Sequence, residues 1–394
     1  MNSKTRILLV HQVSAVGGGS YCLLNIARSL DRSVFEPIAL LKGEGSLAEE
    51  FRSLGIRTLL YSELDQIPYN WSLLRPRSIR MYSRVFRSLK GFERLVREEG
   101  IDIVYLNNMM ISPYLIPAKR AGCKTVLHVR EHWPPDEHRI QLNRLRSVVR
   151  KNCDRLIAIN KFSASIFPDT PACIVYDSID MESRFRSMPM DDIFGEDCSG
   201  KKILLYTGGI SSMKGADYVI NAFSQSVKGE EYRLLVLGNP TPESGLKDRL
   251  KRILYRIGID RGVKMRVNLA NDHRIRCIPP VYELTHLIQQ SHCFVSYFRM
   301  PHANLGMAES IILGTPCIAA DTEEAREYTG NGSYAMLVPP NKPKLFAQEL
   351  NSFLDDIDRW KEAAGQGSAP LSIMFNKKTN EDRLNGELRG LAGL

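Results

Sequence analysis

The sequence predicts an α/β protein with two doubly wound parallel-sheet domains in tandem. Short, continuous apolar runs such as 6–10 and 35–41 are typical of strands buried on both faces of a parallel sheet. Segments with apolar residues at helical spacing alternate with these runs, and such alternation favours a doubly wound sheet. The same scheme starts again at 202–206. A chain of 394 residues is long enough for each of two domains to bury its own core.

The elements of the first half follow from its apolar runs and its glycines. The predicted strands are 6–10, 35–41, 102–106, 124–129 and 154–159. A glycine-rich turn at 17–19 precedes a helix over 21–30, whose leucines recur at helical spacing. A second helix over 47–54 ends at Gly55, since glycine is common just after a helix.

The second half repeats this order of elements. The predicted strands are 202–206, 232–237, 263–267, 293–297 and 316–320, with a helix over 216–227. Residues 183–201 are rich in Met, Asp and Gly and are interpreted as the link into the second domain, and residues from Ser372 onward as a polar helix. The predicted domains are therefore 1–178 and 179–370. A C-terminal helix over 371–394 follows, and its packing back on the first domain is one arrangement open to it.

Composition excludes several classes of protein. Hydrophobic residues make up 43% and charged residues 25%, which is typical of a globular protein and not of a collagen-like or disordered one. No apolar run approaches the ~20 residues that span a bilayer, and the run at 7–10 is shorter than the ~7–15 residues of a signal-peptide core. The eight cysteines form no C-x-x-C pair, so neither zinc nor a redox dithiol is indicated. We therefore expect a cytoplasmic protein.

Positive charge is concentrated in the first part of the chain. The formal net charge of the whole chain is +9, and residues 1–161 carry 26 Lys and Arg against 15 Asp and Glu. An excess of this kind favours an anionic partner, for which a membrane surface, a polyanion and a phosphorylated substrate are alternatives.

An arginine-rich helix is predicted between Arg75 and Glu99. One face carries Arg77, Arg80, Arg84, Arg87 and Arg94, and another carries Tyr82, Val85, Phe86, Leu89, Phe92 and Val96. Such a helix can lie on anionic lipid. Alternatively, its apolar face packs on the first sheet while the arginines are solvated. No nucleic acid is expected as a partner, because no nucleic-acid-reading motif accompanies the charge.

Three motifs follow predicted strands, where open parallel sheets bind ligands. The first is the glycine-rich turn, Gly17, Gly18 and Gly19, directly before a helix whose N-terminus favours an anion. The second places the Gly208-Gly209 turn before Lys214 at a helix start, which suits a diphosphate. The third is a loop and helix over 301–316, in which Glu309 lies among apolar residues and needs a hydrogen-bonding partner such as a ribose diol.

Together these segments resemble the retaining glycosyltransferases of the GT-B fold, in the glycogen-synthase-like group numbered family four. Residues 208–223 resemble that family's lysine-glycine segment, 303–320 its donor-binding helix and following strand, and 334–340 its terminal proline pair. The interdomain stretch of the family resembles 175–180. The resemblance implies a GT-B fold of two Rossmann-like domains that face a cleft, a nucleotide-sugar donor of the UDP or GDP type, and no metal or other cofactor.

The resemblance also implies roles for individual residues. Lys214 would hold the donor diphosphate and Glu309 the ribose, and the glycine-rich turn would line the phosphate and acceptor side. The candidate catalytic residues are Arg130, Glu131, His132 and His302. The other candidate donor-binding residues are Gly208, Gly209, Ala303, Asn304 and Leu305.

Four positions depart from the family pattern. Pro301 stands where the family has its first motif glutamate, which contacts the sugar, and His302 or Asn304 are candidates to replace it. Gly209 stands where the family often has arginine. Arg130 and Glu131 stand where it has His-Asp; Arg130 either restores the missing positive charge or forms an ion pair with Glu131 or Asp136.

The leading hypothesis is a retaining transferase that acts on a glycan or lipid-linked acceptor in cell-surface polysaccharide or glycoconjugate synthesis, at the inner face of the membrane. A sugar-nucleotide 2-epimerase of the same fold is an alternative, with Glu131, His132 and His302 as proton-transfer groups. A degenerate, non-catalytic nucleotide-sugar-binding subunit is a third reading, since Pro301, Gly209 and Arg130 all depart from the pattern.

Overall fold

The chain forms two compact units, Met1–Ser178 with Asn376–Leu394, and Ile179–Phe375. We describe a computed structural model. It covers residues 4–69, 75–133, 137–179, 188–211, 213–238, 265, 268–279, 281 and 284–394.

A seven-stranded parallel sheet forms the centre of the first unit. Its strand order is β3-β2-β1-β4-β5-β6-β7. The strands are β1 (Thr5–His11), β2 (Phe35–Leu41), β3 (Arg57–Leu60), β4 (Ile103–Leu106), β5 (Lys124–Val129), β6 (Arg155–Ala158) and β7 (Ala172–Ile174). Strand β4 is buried along its whole length, which explains its unbroken apolar sequence.

Helices cover both faces of this sheet. They are α1 (Gly18–Ser29), α2 (Ser46–Ser53), α3 (Pro76–Glu98), α4 (Leu115–Arg120), α5 (Arg139–Asn152) and α6 (Lys161–Ser165), with a 3₁₀ helix at Met109–Tyr114. Successive side chains of a strand point to opposite faces. Leu8 and Val10 of β1 accordingly join a core with α3, α4 and α5, whereas Ile7 and Leu9 join a second core with α1 and α2.

The last helix of the chain, α14 (Lys377–Ala392), belongs to this second core. Its Leu384 and Leu388 are buried among the apolar residues of β1, β2 and α1. An ion pair of 2.9 Å between Arg155 and Glu387, and one between Arg389 and Asp31, lie beside them. The C-terminal segment therefore completes the first unit.

Leu388→Ala is expected to destabilise the first unit by about 2–5 kcal/mol, because it opens a cavity at a fully buried position. Urea unfolding would measure the loss. Leu391→Ala, three residues further along and only partly buried, is the control and should lose clearly less. Equal losses in the two variants would contradict a core role for α14.

The second unit contains a six-stranded parallel sheet in the order β10-β9-β8-β11-β12-β13. The strands are β8 (Lys202–Tyr206), β9 (Tyr232–Leu237), β10 (Ile275–Ile278), β11 (Cys293–Val295), β12 (Cys317–Ala320) and β13 (Met336–Val338). The helices are α7 (Met190–Phe194), α8 (Ala216–Ser226), α9 (Thr285–Gln289), α10 (Leu305–Ile312), α11 (Glu323–Tyr328), α12 (Pro343–Asp355) and α13 (Ile357–Met374). Both units are therefore doubly wound α/β domains, and the predicted fold class is confirmed.

Some predicted elements differ from the structure. The predicted strand at 263–267 lies outside the described residues, apart from Met265, which is buried in the core of the second unit. The polar helix expected from Ser372 is wrong at its start, because 372 lies inside α13. Helix α14 begins instead after Asn376, whose side chain accepts a hydrogen bond of 2.9 Å from the backbone N–H of Thr379. The expected link 183–201 contains a helix, α7, and its residues 183–187 are outside the described part.

The arginine-rich helix α3 packs on the first sheet through a narrow stripe. Val85, Phe92 and Val96 are buried in the core. The prediction that Phe86 shares this face is wrong: Phe86 is 61% exposed and stacks on Tyr82. One residue turns a helix by ~100°, so Phe86 lies beyond Tyr82 and Leu89, which are partly buried at the edge of this face.

All five arginines of the predicted basic face are exposed: Arg77, Arg80, Arg84, Arg87 and Arg94. Arg84 lies 3.8 Å from Asp65 and Arg94 lies 3.9 Å from Glu98, and exposed pairs of this kind contribute little. Among the helices that the structure describes, none is both long and apolar enough to cross a membrane.

Candidate functional site

Each sheet reverses its strand order once. In the first sheet the reversal lies between β1 and β4, and in the second between β8 and β11. Ligands of open α/β sheets bind at the carboxyl ends of the strands on either side of such a reversal. The residues that follow these four strands are therefore the candidates for ligand binding.

In the second unit, glycines allow the loops that follow β8, β9 and β11 to come very close together. A Cβ atom on Gly215 would lie 1.9 Å from the carbonyl oxygen of Tyr297, and one on Gly238 would lie 2.7 Å from Gly209. Gly215 also has a φ of 77°, which favours glycine. Larger residues at these positions would push the loops apart.

Lys214 lies within this group of loops and is half-buried. Burial lowers the pKa of its ammonium group. The Nζ atom lies 5.9 Å from the centre of the Phe298 ring, and no ion pair joins it to any residue that the structure describes. A half-buried cation without a counter-ion is placed to receive an anionic ligand.

The loop and helix that carry the third sequence motif lie beside it. The His302 ring is exposed and lies 5.6 Å from the Phe298 ring, which also contacts Lys214. Asn304 caps α10 by accepting from the N–H of Met307, and its Nδ2 donates to Ser296 Oγ over 2.7 Å. Glu309 is half-buried within α10. Lys214, His302 and Asn304 are thus brought together around Phe298 and Ser296.

A small depression lies next to Asn304 at the carboxyl ends of β11 and β12. Its volume, including the part open to solvent, is about 240 Å³, and Ser296, His302, Asn304 and Glu324 are among its lining residues. Glu324 is only 2% exposed. Burial raises the pKa of its carboxyl group to about 8. The sequence motifs described above do not include Glu324.

In the first unit, the glycine-rich turn forms the N-terminus of α1. Gly17, Gly18 and Gly19 are exposed, and a Cβ atom on Gly18 or Gly19 would meet nothing within 4 Å. Asn107, which follows β4, donates from Nδ2 to the carbonyl oxygen of Gly19 over 3.0 Å. The turn therefore presents open space and a helix N-terminus beside the strand-order reversal.

Arg130, which follows β5, is held by two other segments. Its Nη1 donates to both carboxylate oxygens of Asp177, over 2.6 and 2.8 Å, and its Nε donates to Asn107 Oδ1 over 2.7 Å. The side chains of Arg130 and Asp177 are 7% and 13% exposed. An ion pair with Glu131 or Asp136 was one of the two roles predicted for Arg130. The structure shows Asp177 instead, and Asp136 lies outside the described residues.

Glu131 and His132 lie next to Arg130 but face different surroundings. Glu131 Oε2 accepts backbone hydrogen bonds from Met109 over 3.0 Å and from Arg130 over 3.2 Å. Burial outweighs these bonds and raises the pKa of Glu131 to about 7. His132 is buried and stacks on Phe162, and burial lowers its pKa to about 4. The described residues include no cluster of three or more His, Cys, Asp or Glu that could hold a metal ion.

Two family models match the chain, one over each unit. The model described as "Glycosyl transferase 4-like domain" matches residues 17–168. The model described as "Glycosyl transferases group 1" matches residues 194–366. The chain belongs to the GT-B glycosyltransferases of the family 4 type.

Curated relatives of this GT-B family member are distant. The chain is 22% identical over 212 residues to the alpha-D-kanosaminyltransferase of Streptomyces kanamyceticus, a match that covers 53% of this chain and 50% of the relative. It is also 22% identical, over 178 residues, to the D-inositol 3-phosphate glycosyltransferase of Corynebacterium efficiens, covering 44% of this chain and 39% of the relative. The chain therefore spans half or less of the length of these relatives.

Solved structures share the fold of this GT-B family member along almost all of its length. HepE from Anabaena, solved in complex with UDP-glucose, has a TM-score of 0.72 at 17% identity, covering 98% of this chain and 99% of that one. A sucrose-phosphate synthase from Thermosynechococcus elongatus has a TM-score of 0.73 at 13% identity, covering 99% and 100%. At these identities the likeness shows the fold alone.

Titration of Glu131 is expected to make the free energy of unfolding depend on pH. Because the pKa of this group is raised from 4.5 to about 7, the folded protein binds the proton more tightly than the unfolded chain. The free energy of unfolding therefore falls as pH rises from about 4.5 to about 7. Glu131→Gln removes this contribution, of at most roughly 3 kcal/mol.

Urea unfolding midpoints across that pH window would measure the effect of Glu131→Gln. Glu49→Gln, at an exposed position in α2, is the control and should keep the wild-type slope. A Glu131→Gln profile that is parallel to the wild-type profile would contradict the assignment.

Proposed function

We propose that this GT-B family member is a retaining, metal-independent glycosyltransferase with a nucleotide-sugar donor of the UDP or GDP type. The observation that carries the proposal is Lys214, a half-buried cation without an ion pair among the described residues, beside the strand-order reversal of the second sheet. A donor diphosphate supplies the anion that this site lacks. HepE, which shares the fold, was solved with UDP-glucose and supports the choice of donor class.

The chemistry assigned to the second unit is stabilisation of the leaving diphosphate. Lys214 provides a positive charge, and α8, which begins after Gly215, directs its first N–H groups toward the same loops. Fixed charges and dipoles of this kind stabilise developing negative charge without reorganising. Glu309 is assigned to the ribose hydroxyls, and His302, Ala303, Asn304 and Leu305 to the sugar.

The first unit is assigned the acceptor, a glycan or a lipid-linked sugar. The exposed Gly17, Gly18 and Gly19 leave room for it at the N-terminus of α1. Glu131, with a pKa near 7, is the side chain best poised to exchange a proton with it. Arg130 already pairs with Asp177, so we assign it to positioning the loop that carries Glu131.

The deciding experiment incubates the protein with UDP-glucose or GDP-mannose, with and without lipid-linked and oligosaccharide acceptors. Transfer detected by mass spectrometry, with the anomeric configuration kept in the NMR spectrum of the product, supports the proposal. Glu309→Ala is expected to abolish transfer, whereas Glu349→Ala, at a half-buried glutamate of α12, serves as the control. Nucleotide binding without transfer to any acceptor would favour a non-catalytic subunit.

A sugar-nucleotide 2-epimerase is the second candidate function, and the pKa of Glu131 favours it, because epimerisation requires proton transfer. The same experiment separates the two. An epimerase converts the nucleotide sugar without an acceptor, whereas a transferase requires one.

We also propose that α3 attaches the protein to the inner face of an anionic membrane. Its five exposed arginines contribute about 1 kcal/mol each at such a surface. Replacing Arg77, Arg80 and Arg87 together with glutamine is expected to weaken binding to phosphatidylglycerol vesicles by about 100-fold. Co-sedimentation would measure it, with phosphatidylcholine vesicles as the control. Unchanged binding of the triple variant would refute this attachment.

A further inference from the structure

Glu324 occupies an unusual position for a carboxyl group. It lies in the first turn of α11, directly after β12, so it is placed at the carboxyl edge of the second sheet. Its side chain lines the same depression as His302, Asn304 and Ser296. Residues that follow β11 and β12 therefore converge at the edge where open α/β sheets bind ligands.

The Glu324 carboxyl group has an unused hydrogen-bonding atom. The side chain is 2% exposed, and its Oε2 has no hydrogen-bonding partner among the described residues. Its other interactions are with the Thr322 side chain and its own backbone N–H. Leaving a buried polar atom unpaired costs about 1–3 kcal/mol, so such atoms are expected to have a function.

The buried Asp217 and the half-buried Asp272 of the second unit are each paired with an arginine. Asp217 pairs with Arg299, and Asp272 pairs with Arg274 over 2.9 Å. No cation is paired with Glu324 in the described part of the chain. The charged groups of its own helix that act on it, Glu323 and Glu327, are acids. The titratable group that lines the same depression from the loop before α10 is His302.

We propose that Glu324 is a specificity-determining residue of the donor site, whose carboxyl group hydrogen-bonds a hydroxyl of the transferred sugar. This inference rests on the proposed nucleotide-sugar function. The Glu324 carboxyl group would take the role of the family's first motif glutamate, which is replaced by Pro301 in this chain. A hydroxyl group is uncharged and both donates and accepts, as a protonated carboxyl group does. Among the described residues that line this depression there is no lysine or arginine, which assigns it to the sugar rather than to the diphosphate.

The floor of the depression is consistent with this assignment. Met307, Ala319, Ala320 and Ala325 supply apolar surface, while Ser296, Asn304 and Thr322 supply polar atoms around it. The edge of a sugar ring presents a hydroxyl group beside C–H groups, so it matches a lining of both kinds. Burial keeps the Glu324 carboxyl group protonated up to about pH 8.

The test compares a nucleotide sugar with its own diphosphate by calorimetry, using UDP-glucose with UDP and GDP-mannose with GDP. Glu324→Ala is expected to weaken binding of the nucleotide sugar about tenfold while binding of the diphosphate changes less than about twofold. Glu324→Gln should keep most of the affinity, because an amide also donates and accepts. Glu323→Gln, at the exposed neighbouring position, is the matched control.

A pH series adds a readout that a purely structural role would not move. Above about pH 8 the ionised Glu324 carboxylate accepts hydrogen bonds but no longer donates them, so the wild-type preference for the nucleotide sugar over the diphosphate should change in this range. Glu324→Gln should lose no preference in this range. Thermal unfolding of each variant confirms that it is folded.

The outcomes distinguish a failure of the role proposed for Glu324 from a failure of the proposed function. Glu324→Ala weakening both ligands equally, or neither, would overturn the role of Glu324 while leaving the donor site intact. Wild-type protein that binds neither diphosphate would overturn the proposed function itself, and the inference with it.

Discussion

Replacing Lys214 with alanine is expected to weaken the binding of a nucleoside diphosphate by about one to two orders of magnitude. Hydrogen bonds to charged groups contribute about 1.5–3 kcal/mol, and each 1.4 kcal/mol is tenfold in affinity. The upper part of this range applies, because Lys214 is half-buried and has no competing ion pair among the described residues.

Thermal shift provides the measurement. A ligand at 100 times its dissociation constant stabilises a protein by about 2.7 kcal/mol, which raises the melting temperature by a few degrees. Wild-type protein should show this shift with UDP or GDP, and Lys214→Ala should lose it at the same concentration. Lys228→Ala is the matched control, because Lys228 is exposed just beyond the other end of α8.

The unliganded Lys214→Ala variant distinguishes a lost contact from a damaged fold. Burial lowers the pKa of Lys214, so the folded state disfavours its charge and stability rises as pH climbs toward the point where it is neutral. Removing the lysine should therefore leave the unliganded melting temperature equal to or above that of wild type. A variant that melts earlier and still shifts with nucleotide would refute the assignment.

The central strands could be predicted from the sequence because both of their faces are buried. Strands such as β4 and β9 read as unbroken apolar runs, which local pattern alone identifies. The edge strands β3, β7, β10 and β13 were missed. Each is only three or four residues long and has exposed or half-buried positions, so the apolar signal is too short to stand out.

In the candidate site, too, only features with a local cause could be predicted from the sequence. Glycines and a lysine after a strand predict a ligand loop, since the reason for them is local. The partner of Arg130 could not be predicted, because Asp177 is 47 residues away and meets it only after β5 and the end of the unit are both placed. The burial of Glu324 likewise depends on the loops that close over it, which no spacing in α11 reveals.

Arg130→Met is expected to destabilise the first unit by about 3–5 kcal/mol. The variant leaves the Asp177 carboxylate without its cation at a site where both side chains are nearly buried. It also removes the donor that Asn107 Oδ1 accepts from. Urea unfolding followed by a probe in the first unit would measure the loss.

An exposed pair provides the control for this prediction. Arg57 makes two contacts with Glu99, of 2.7 and 2.9 Å, so it makes as many contacts as the Arg130 pair at similar distances while its side chain is 57% exposed. Arg57→Met should therefore lose about 1 kcal/mol or less. Comparable losses at the two arginines would mean that burial does not set the strength of the Arg130 pair.

The double variant Arg130→Met, Asp177→Leu decides what the pair is for. Replacing both members of a buried ion pair by apolar residues is often neutral or stabilising, so the double variant should recover most of the stability that Arg130→Met loses. If sugar transfer returns with stability, the arginine positions the loop that carries Glu131. If the double variant is stable and inactive, the Arg130 charge itself acts on the reactants, and its pairing with Asp177 must open during the reaction.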